Sequence, residues 1–198
     1  VIFEVGLEVR NSGTIDDDGD NDPTNDAELK LGGDLIAGGD ITGGGKVTFN
    51  GGVEQLLDAV GVTLPNIEVT DVNGDGTGTP STVQLGDNVG TLTLGSLTID
   101  GGSTFTAQYD DGGTVNSRTD LTITGGVEVA DGTFEFAGGT NSRNYQVAGD
   151  LTVASTSTFT TNGNKLTLNG DGATPQIISG SGEVADLDVT TGSDVDLA

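Results

Sequence analysis

Short apolar–polar alternations recur along the chain, each broken by glycine, asparagine or aspartate. Leu97-Thr98-Ile99, Leu121-Thr122-Ile123 and Leu151-Thr152-Val153 share one spelling. Leu35-Ile36 begins an earlier copy behind Gly33-Asp34, as Gly149-Asp150 stands before Leu151. Alternation with a period of two is the pattern of a half-buried strand, and runs rich in Val, Ile and Thr suit it. Leu97 and Ile99 then point inward and Thr98 outward. Each triplet leads to a run that ends on a bulky residue, at Phe105, Phe134 and Phe159.

A longer spelling also repeats. Lys46-Val47-Thr48-Phe49-Asn50-Gly51 matches Lys165-Leu166-Thr167-Leu168-Asn169-Gly170. Both run on to a glutamine with apolar neighbours, Gln55-Leu56-Leu57 and Gln176-Ile177-Ile178, and then to Ile67-Glu68-Val69 and Leu187-Asp188-Val189. Asn116-Ser117-Arg118 returns as Asn141-Ser142-Arg143. A period of about 25 residues predicts one coil of a β-solenoid. One coil cannot bury its own face. Stacked coils bury a continuous stripe and pair each backbone edge with the next. The expected fold is all-β: a single parallel β-helix (β-solenoid) domain over residues 1–198, with acidic loop insertions at about 15–28 and 71–81. The alternative is a β-sandwich, which also has short, regularly spaced strands. Repeated spelling and the scarcity of two-residue Asn-Gly hairpins favour the solenoid. Val53, Leu56, Leu57 and Val60 fall at helical spacing, but the partner copy carries Pro175 and β-branched residues. That stretch is expected to be a strand or a single surface turn.

Composition sharpens this picture. Hydrophobic residues are 32% and aromatic ones 4%, so the expected core is thin, aliphatic and repetitive. The net charge of −25 with low hydrophobicity borders on disorder, but the apolar residues are clustered in strand-like runs. Six Lys and Arg against 31 Asp and Glu exclude nucleic acid and anionic membranes as natural partners and favour cations. There is no Cys, hence no disulfide or thiolate site, and no His, the commonest general base and transition-metal ligand. The absence of Met suggests a processed product or a part of something longer. No stretch approaches the roughly 18 apolar residues of a membrane span. Glycine runs such as Gly43-Gly44-Gly45 precede strands and not helix N-termini, which removes a phosphate-cradling reading.

The signature Gly149-Asp150-Leu151-Thr152-Val153, Ser157-Thr158-Phe159, Gly163 to Gly170, Gln176 to Gly182 and Leu187-Asp188-Val189 resembles the repeats of secreted bacterial parallel β-helix surface proteins. These include autotransporter-like and filamentous-haemagglutinin-like adhesins and pectin-lyase-like proteins. The likeness covers residues 29–51 and 92–198 best. It implies a right-handed coil, export to the cell surface and often a very long parent chain. The glycine-aspartate nonapeptide of calcium-loaded toxin solenoids is missing.

Two acidic stretches carry the candidate chemistry. Asp71-Val72-Asn73-Gly74-Asp75-Gly76 has the D-x-N-x-D-G form of the front of an EF-hand loop. Asp71, Asn73 and Asp75, with Thr77, would place alternate oxygens around Ca2+; a solvated acidic turn is the plainer reading. Asp16, Asp18, Asp20 and Asp22 share the alternate spacing and offer a second calcium loop, or a solubilising one. Arg118 and Arg143, with Tyr109 and Tyr145, form a weak candidate glycan patch. In a calcium-dependent lyase an arginine would be the base. Charge compensation, by carboxylates such as Asp110, Asp111 or Asp120, is the commoner use of such arginines. The terminal run with Val1, Ile2, Phe3, Val5, Leu7 and Val9 reads as an alternating strand. It would add to a neighbour by β-augmentation, or simply form the first coil. The functional expectation is an extracellular structural or adhesive protein and not an enzyme. It would be calcium-stabilised, a segment or subunit of a cell-surface filament, either a homopolymer or a continuation of a larger chain. The alternatives are a calcium-dependent polysaccharide-binding module or lyase acting on a surface glycan, and a component of a halophile's coat.

Overall fold

A computed structural model describes residues 2–3, 7–9, 13–14, 28–42, 45–110, 114–138, 143–170, 175–181, 187–189 and 195–197. Among the described residues all regular elements are strands. Three parallel sheets of nine, seven and six strands hold most of them. The chain visits the sheets in rotation. Lys46–Phe49 lies in the first sheet, Glu54–Asp58 in the second and Thr63–Leu64 in the third, and Asn66–Val69 returns to the first. The next coil repeats the cycle with Thr82–Leu85, Gly90–Leu94 and Leu97–Ile99. Glu54–Asp58 settles the stretch around Leu56 as a strand.

Register in the first sheet sets Lys46 beside Asn66, Ile67 beside Leu97, Leu97 beside Val127 and Val127 beside Leu151. The coil length therefore varies, and the period near 25 is its average. The loop at 71–81 lengthens one coil. An antiparallel hairpin, Gln108–Asp110 against Thr114–Asn116, lengthens the next. The arrangement is compatible with a parallel β-helix or solenoid. It departs from the antiparallel pairing of a β-sandwich.

Period-two alternation sets what is buried. Leu97 and Ile99 are fully buried and Thr98 faces out, as do the corresponding residues of Leu35–Ala37, Val127–Val129 and Leu151–Val153. The core is not aliphatic throughout, as the composition had suggested. Phe105, Phe134 and Phe159 stand in register on adjacent second-sheet strands. Phe134 meets Phe105, Phe136 and Phe159 edge-on, with centroids 5.0–5.7 Å apart. Phe136 stacks on Tyr145 at 3.7 Å. A low aromatic percentage misleads here because five rings, those of Phe105, Phe134, Phe136, Phe159 and Tyr145, go to one place.

The repeated spellings do not all occupy one column. Leu97–Ile99 and Leu151–Val153 are in the first sheet, but Leu121–Ile123 falls within the third-sheet strand Thr119–Ile123. The long repeat is displaced by one sheet throughout. Lys46–Phe49 is in the first sheet and Leu166–Leu168 in the third; Glu54–Asp58 is in the second and Gln176–Gly180 in the first; Asn66–Val69 is in the first and Leu187–Val189 in the third. The spelling thus encodes a strand–corner–strand unit that fits any corner, because each sheet presents the same inward aliphatic demand.

Close approach at the corners explains some glycines. Gly125 N donates to Gly95 O at 2.5 Å, and Gly149 N to Gly125 O at 2.9 Å. A Cβ on Gly149 would stand 2.5 Å from the carbonyl carbon of Gly125, and main chain cannot yield as a flexible side chain can. Gly149→Ala is expected to lose about 1–3 kcal/mol through overpacking. Urea unfolding would read it, and a midpoint equal to the parent's would show that the corner has slack.

Candidate functional site

The second acidic stretch begins just after the strand Asn66–Val69. Asp71 is fully buried from solvent. Its Oδ1 accepts from Gly76 N at 3.0 Å and Thr70 Oγ1 at 3.3 Å; its Oδ2 accepts from Gly78 N at 2.5 Å and Asn73 N at 3.3 Å. An ionised carboxylate has about four acceptor positions, and the loop itself fills them. Burial pushes the Asp71 carboxyl upward, but the N–H groups of Gly76, Gly78 and Asn73 and the Thr70 hydroxyl outweigh it and hold the pKa below the ordinary value. Gly101 of the next coil closes over this group: a Cβ there would stand 2.7 Å from Asp71 Oδ1.

The other expected ligands stay on the exposed rim. Asp75 Oδ1 accepts from Thr77 N at 2.9 Å and Thr77 Oγ1 at 2.6 Å, and Asn73 Nδ2 reaches Thr77 Oγ1 at 3.4 Å. The alternate spacing of Asp71, Asn73 and Asp75 thus serves a different end: Asp71 turns inward as the loop's anchor. These residues do not fit a calcium site centred on Asp71, because an ion there must displace main-chain donors. Among the described residues, no three acidic side chains group around a metal-sized space. Asp16, Asp18, Asp20 and Asp22 lie outside the described residues.

The sign of the Asp71 shift fixes a pH dependence. A depressed folded pKa contributes stability above the unfolded value, near 3.9 for Asp, that is lost as pH falls through the folded value. The parent is expected to lose this contribution below pH about 4. Asp71→Asn should lack that acid limb while being less stable at neutral pH. Thermal melts of both proteins across the acid range would test it, and parallel curves would show that Asp71 is not the group responsible.

The arginine–tyrosine patch is divided by the fold. Tyr145 is 1% exposed, and its hydroxyl oxygen accepts from Ala137 N at 3.0 Å. It is a core residue and offers no face to a sugar. Burial pushes its phenol up to about 12, against smaller opposing effects of the Ala137 N–H and Arg143. Neutral Tyr145 therefore stabilises the fold below pH about 10, the ordinary tyrosine value. That contribution fades as pH climbs towards 12. A phenolate absorbance titration should show a late-ionising tyrosine that Tyr145→Phe removes. Tyr109 is half-buried and pairs with Val115 in the hairpin.

Arg118 is exposed and pairs with Asp87 of the preceding coil; Asp111 and the side chain of Asp110 lie outside the described residues. Nε donates to Asp87 Oδ1 at 2.9 Å, and Nη2 to Asp87 Oδ2 at 3.3 Å and O at 3.0 Å. Arg143 lies one coil on and donates from Nη1 to Arg118 O at 3.3 Å. Asp120 instead accepts from Asn144 N and Nδ2, both at 3.0 Å. Lys46 stands between Glu28 at 3.4 Å and Glu68 at 2.6 Å, and Lys30 meets Glu28 at 3.1 Å. Lys46 and Arg118 are thus placed as rivets between adjacent coils.

The terminal run is not one strand. Ile2–Phe3 pairs with Lys30–Leu31 in the first sheet, and Leu7–Val9 with Leu35–Ala37 in the second. The two pieces lie in different sheets, as the first-coil alternative requires. Val1 and Val5 lie outside the described residues.

The most telling polar residues had been noted only as glutamines in apolar company. Gln55 and Gln176 are 0% and 4% exposed. Gln55 Nε2 donates to Leu31 O at 3.0 Å and Gly33 O at 2.8 Å, and its Oε1 accepts from Gly51 N at 3.1 Å. Gln176 makes the same set, to Val147 O at 3.0 Å, Gly149 O at 2.7 Å and from Gly170 N at 2.7 Å. In both copies the corner aspartate accepts from the residue after the glutamine: Asp34 from Leu56 N and Asp150 from Ile177 N, each at 2.8 Å. Each unit latches one corner to the coil before it. The signal was the joint recurrence of Gly-Asp, Asn-Gly and Gln. Searches against protein-family models, curated proteins and solved structures return no match to this chain.

Proposed function

We propose that this chain is a parallel β-helix rod of an extracellular structural or adhesive protein, and that its work is mechanical. The observation carrying the proposal is the repeated glutamine latch. The polar machinery of the molecule is spent on tying coil to coil, with Gln55 and Gln176 inside and their aspartates, Arg118–Asp87 and Lys46–Glu68 outside. The net charge of −25 keeps such a rod soluble and repels unspecific neighbours. Rods of this kind associate end to end, where coil edges lie open, or continue into further coils.

Electron microscopy of the purified chain, with calcium and with chelator, tests this reading. Rods of uniform width support it, and their joining end to end supports filament assembly. Compact particles without a long axis would overturn it. The acceptor positions of Asp71 are filled by the loop's own donors. A calcium-dependent rise in melting temperature should therefore be unchanged in Asp75→Asn, and its loss in that variant would restore the loop as a binding site.

A further inference from the structure

We propose that Asn73-Gly74 is a site of spontaneous backbone modification, and that its ageing unlocks the Asp71 anchor. The chain has four Asn-Gly pairs, at Asn50, Asn73, Asn162 and Asn169. In such a pair the main-chain nitrogen of glycine, deprotonated by solvent base, attacks the asparagine Cγ. The Cγ–Nδ2 bond breaks, ammonia leaves and a five-membered imide closes. Water then opens the imide at either carbonyl, giving aspartate or isoaspartate. The side-chain amide must be free to swing, the glycine N–H must be releasable, and the ring needs room.

Three of the pairs are held against this. Asn162 Nδ2 donates to Phe136 O at 2.7 Å and Glu135 Oε1 at 3.1 Å. Asn169 Nδ2 donates to Gln146 Oε1 at 3.0 Å, and the N–H of Gly170 is taken by buried Gln176 at 2.7 Å. Asn50 has only a 3.4 Å contact with Val72 O, but the N–H of Gly51 is taken by buried Gln55 at 3.1 Å. Asn73 differs. It is exposed, its amide has one 3.4 Å contact with exposed Thr77, and no atom lies within 4 Å of where a Cβ on Gly74 would stand. The Gly74 N–H is held only by a turn bond to Asp71 O at 3.0 Å on an exposed loop.

The product matters because of position. Isoaspartate at 73 inserts a methylene into the main chain between the Asn73 N–H and the N–H groups of Gly76 and Gly78, all of which grip Asp71. The loop then no longer fits its own carboxylate.

The test is peptide mapping by mass spectrometry of the folded chain held in mildly alkaline buffer. Asn73 should convert roughly tenfold faster than each of the other three, the rate equivalent of about one hydrogen bond that must break first. In urea the four should converge. Equal rates in the folded chain, or faster conversion at Asn162, would overturn the proposal. The isoaspartate form, separated by ion exchange, should melt below the fresh protein, whereas Asn73→Asp should melt with it. If the isoaspartate form melts with the fresh protein, the link to Asp71 is wrong.

Discussion

Phe134→Ala is expected to cost about 3–5 kcal/mol, the range for a buried phenylalanine whose neighbours cannot collapse into the gap. Phe134 is 1% exposed and touches three other rings, one on each flanking strand of its sheet and one two residues along. Removing it strips contacts from three coils at once. In a domain of this size the melting temperature should fall by on the order of 10 °C. A stacked-coil molecule couples mainly to nearest neighbours. Amide hydrogen exchange should therefore speed up in Ser103–Thr106 and Thr158–Thr160 well before it changes in Lys46–Phe49. Uniform loss of protection along the chain would show that it unfolds as one cooperative unit, without the local coupling that repeat architecture implies. Phe134→Leu, which keeps most of the volume, should cost about 1 kcal/mol or a little more.

This aromatic cluster also shows how far the sequence could be read. Phe105, Phe134 and Phe159 were recognisable as equivalent because each follows a threonine in a run of similar spelling, and pairing in register bears that out. Phe136 and Tyr145 were not. Phe136 follows Glu135 at a strand end, and Tyr145 sits near a surface-like Asn-Ser-Arg signature that suggested a sugar platform. Their stacking joins the end of a second-sheet strand to the third sheet, a contact that local alternation does not encode. The acidic loop shows the same limit. Spacing at Asp71, Asn73 and Asp75 specifies where oxygens recur along the chain but not which way they turn. Burial of Asp71 against Gly101 is set by the next coil. Strand content and parallel stacking were legible because they depend on period and repetition alone. Which column a repeat occupies was not, since three sheets pose the same inward demand.

Replacing Gln176 by leucine is expected to cost about 2–4 kcal/mol, although it adds apolar bulk to an apolar site. The reason is the asymmetry of buried hydrogen bonds. Leucine leaves the carbonyl of Gly149 and the N–H of Gly170 without partners and takes one of two donors from the carbonyl of Val147, which keeps Asn169 N; each unsatisfied buried group costs about 1–3 kcal/mol before relaxation. Gln176→Glu separates geometry from charge. Glutamate has nearly the same shape, but when ionised it places negative charge against two carbonyl oxygens. Only its protonated form can donate to one of them. The folded-state pKa of the introduced carboxyl is thus raised above its unfolded value near 4.3. The variant should approach the parent at or below that pH and weaken as pH rises through the folded value. Gln55→Glu should behave alike, although its latch lies at a corner of the second sheet and that of Gln176 at a corner of the first. Matching pH profiles would mean that the recurring sequence unit carries its own energetics from corner to corner. If the two differ in sign, the likeness of the latches is one of geometry only, and the surrounding coils decide what each is worth. Urea midpoints of both variants from acid to neutral pH distinguish these outcomes.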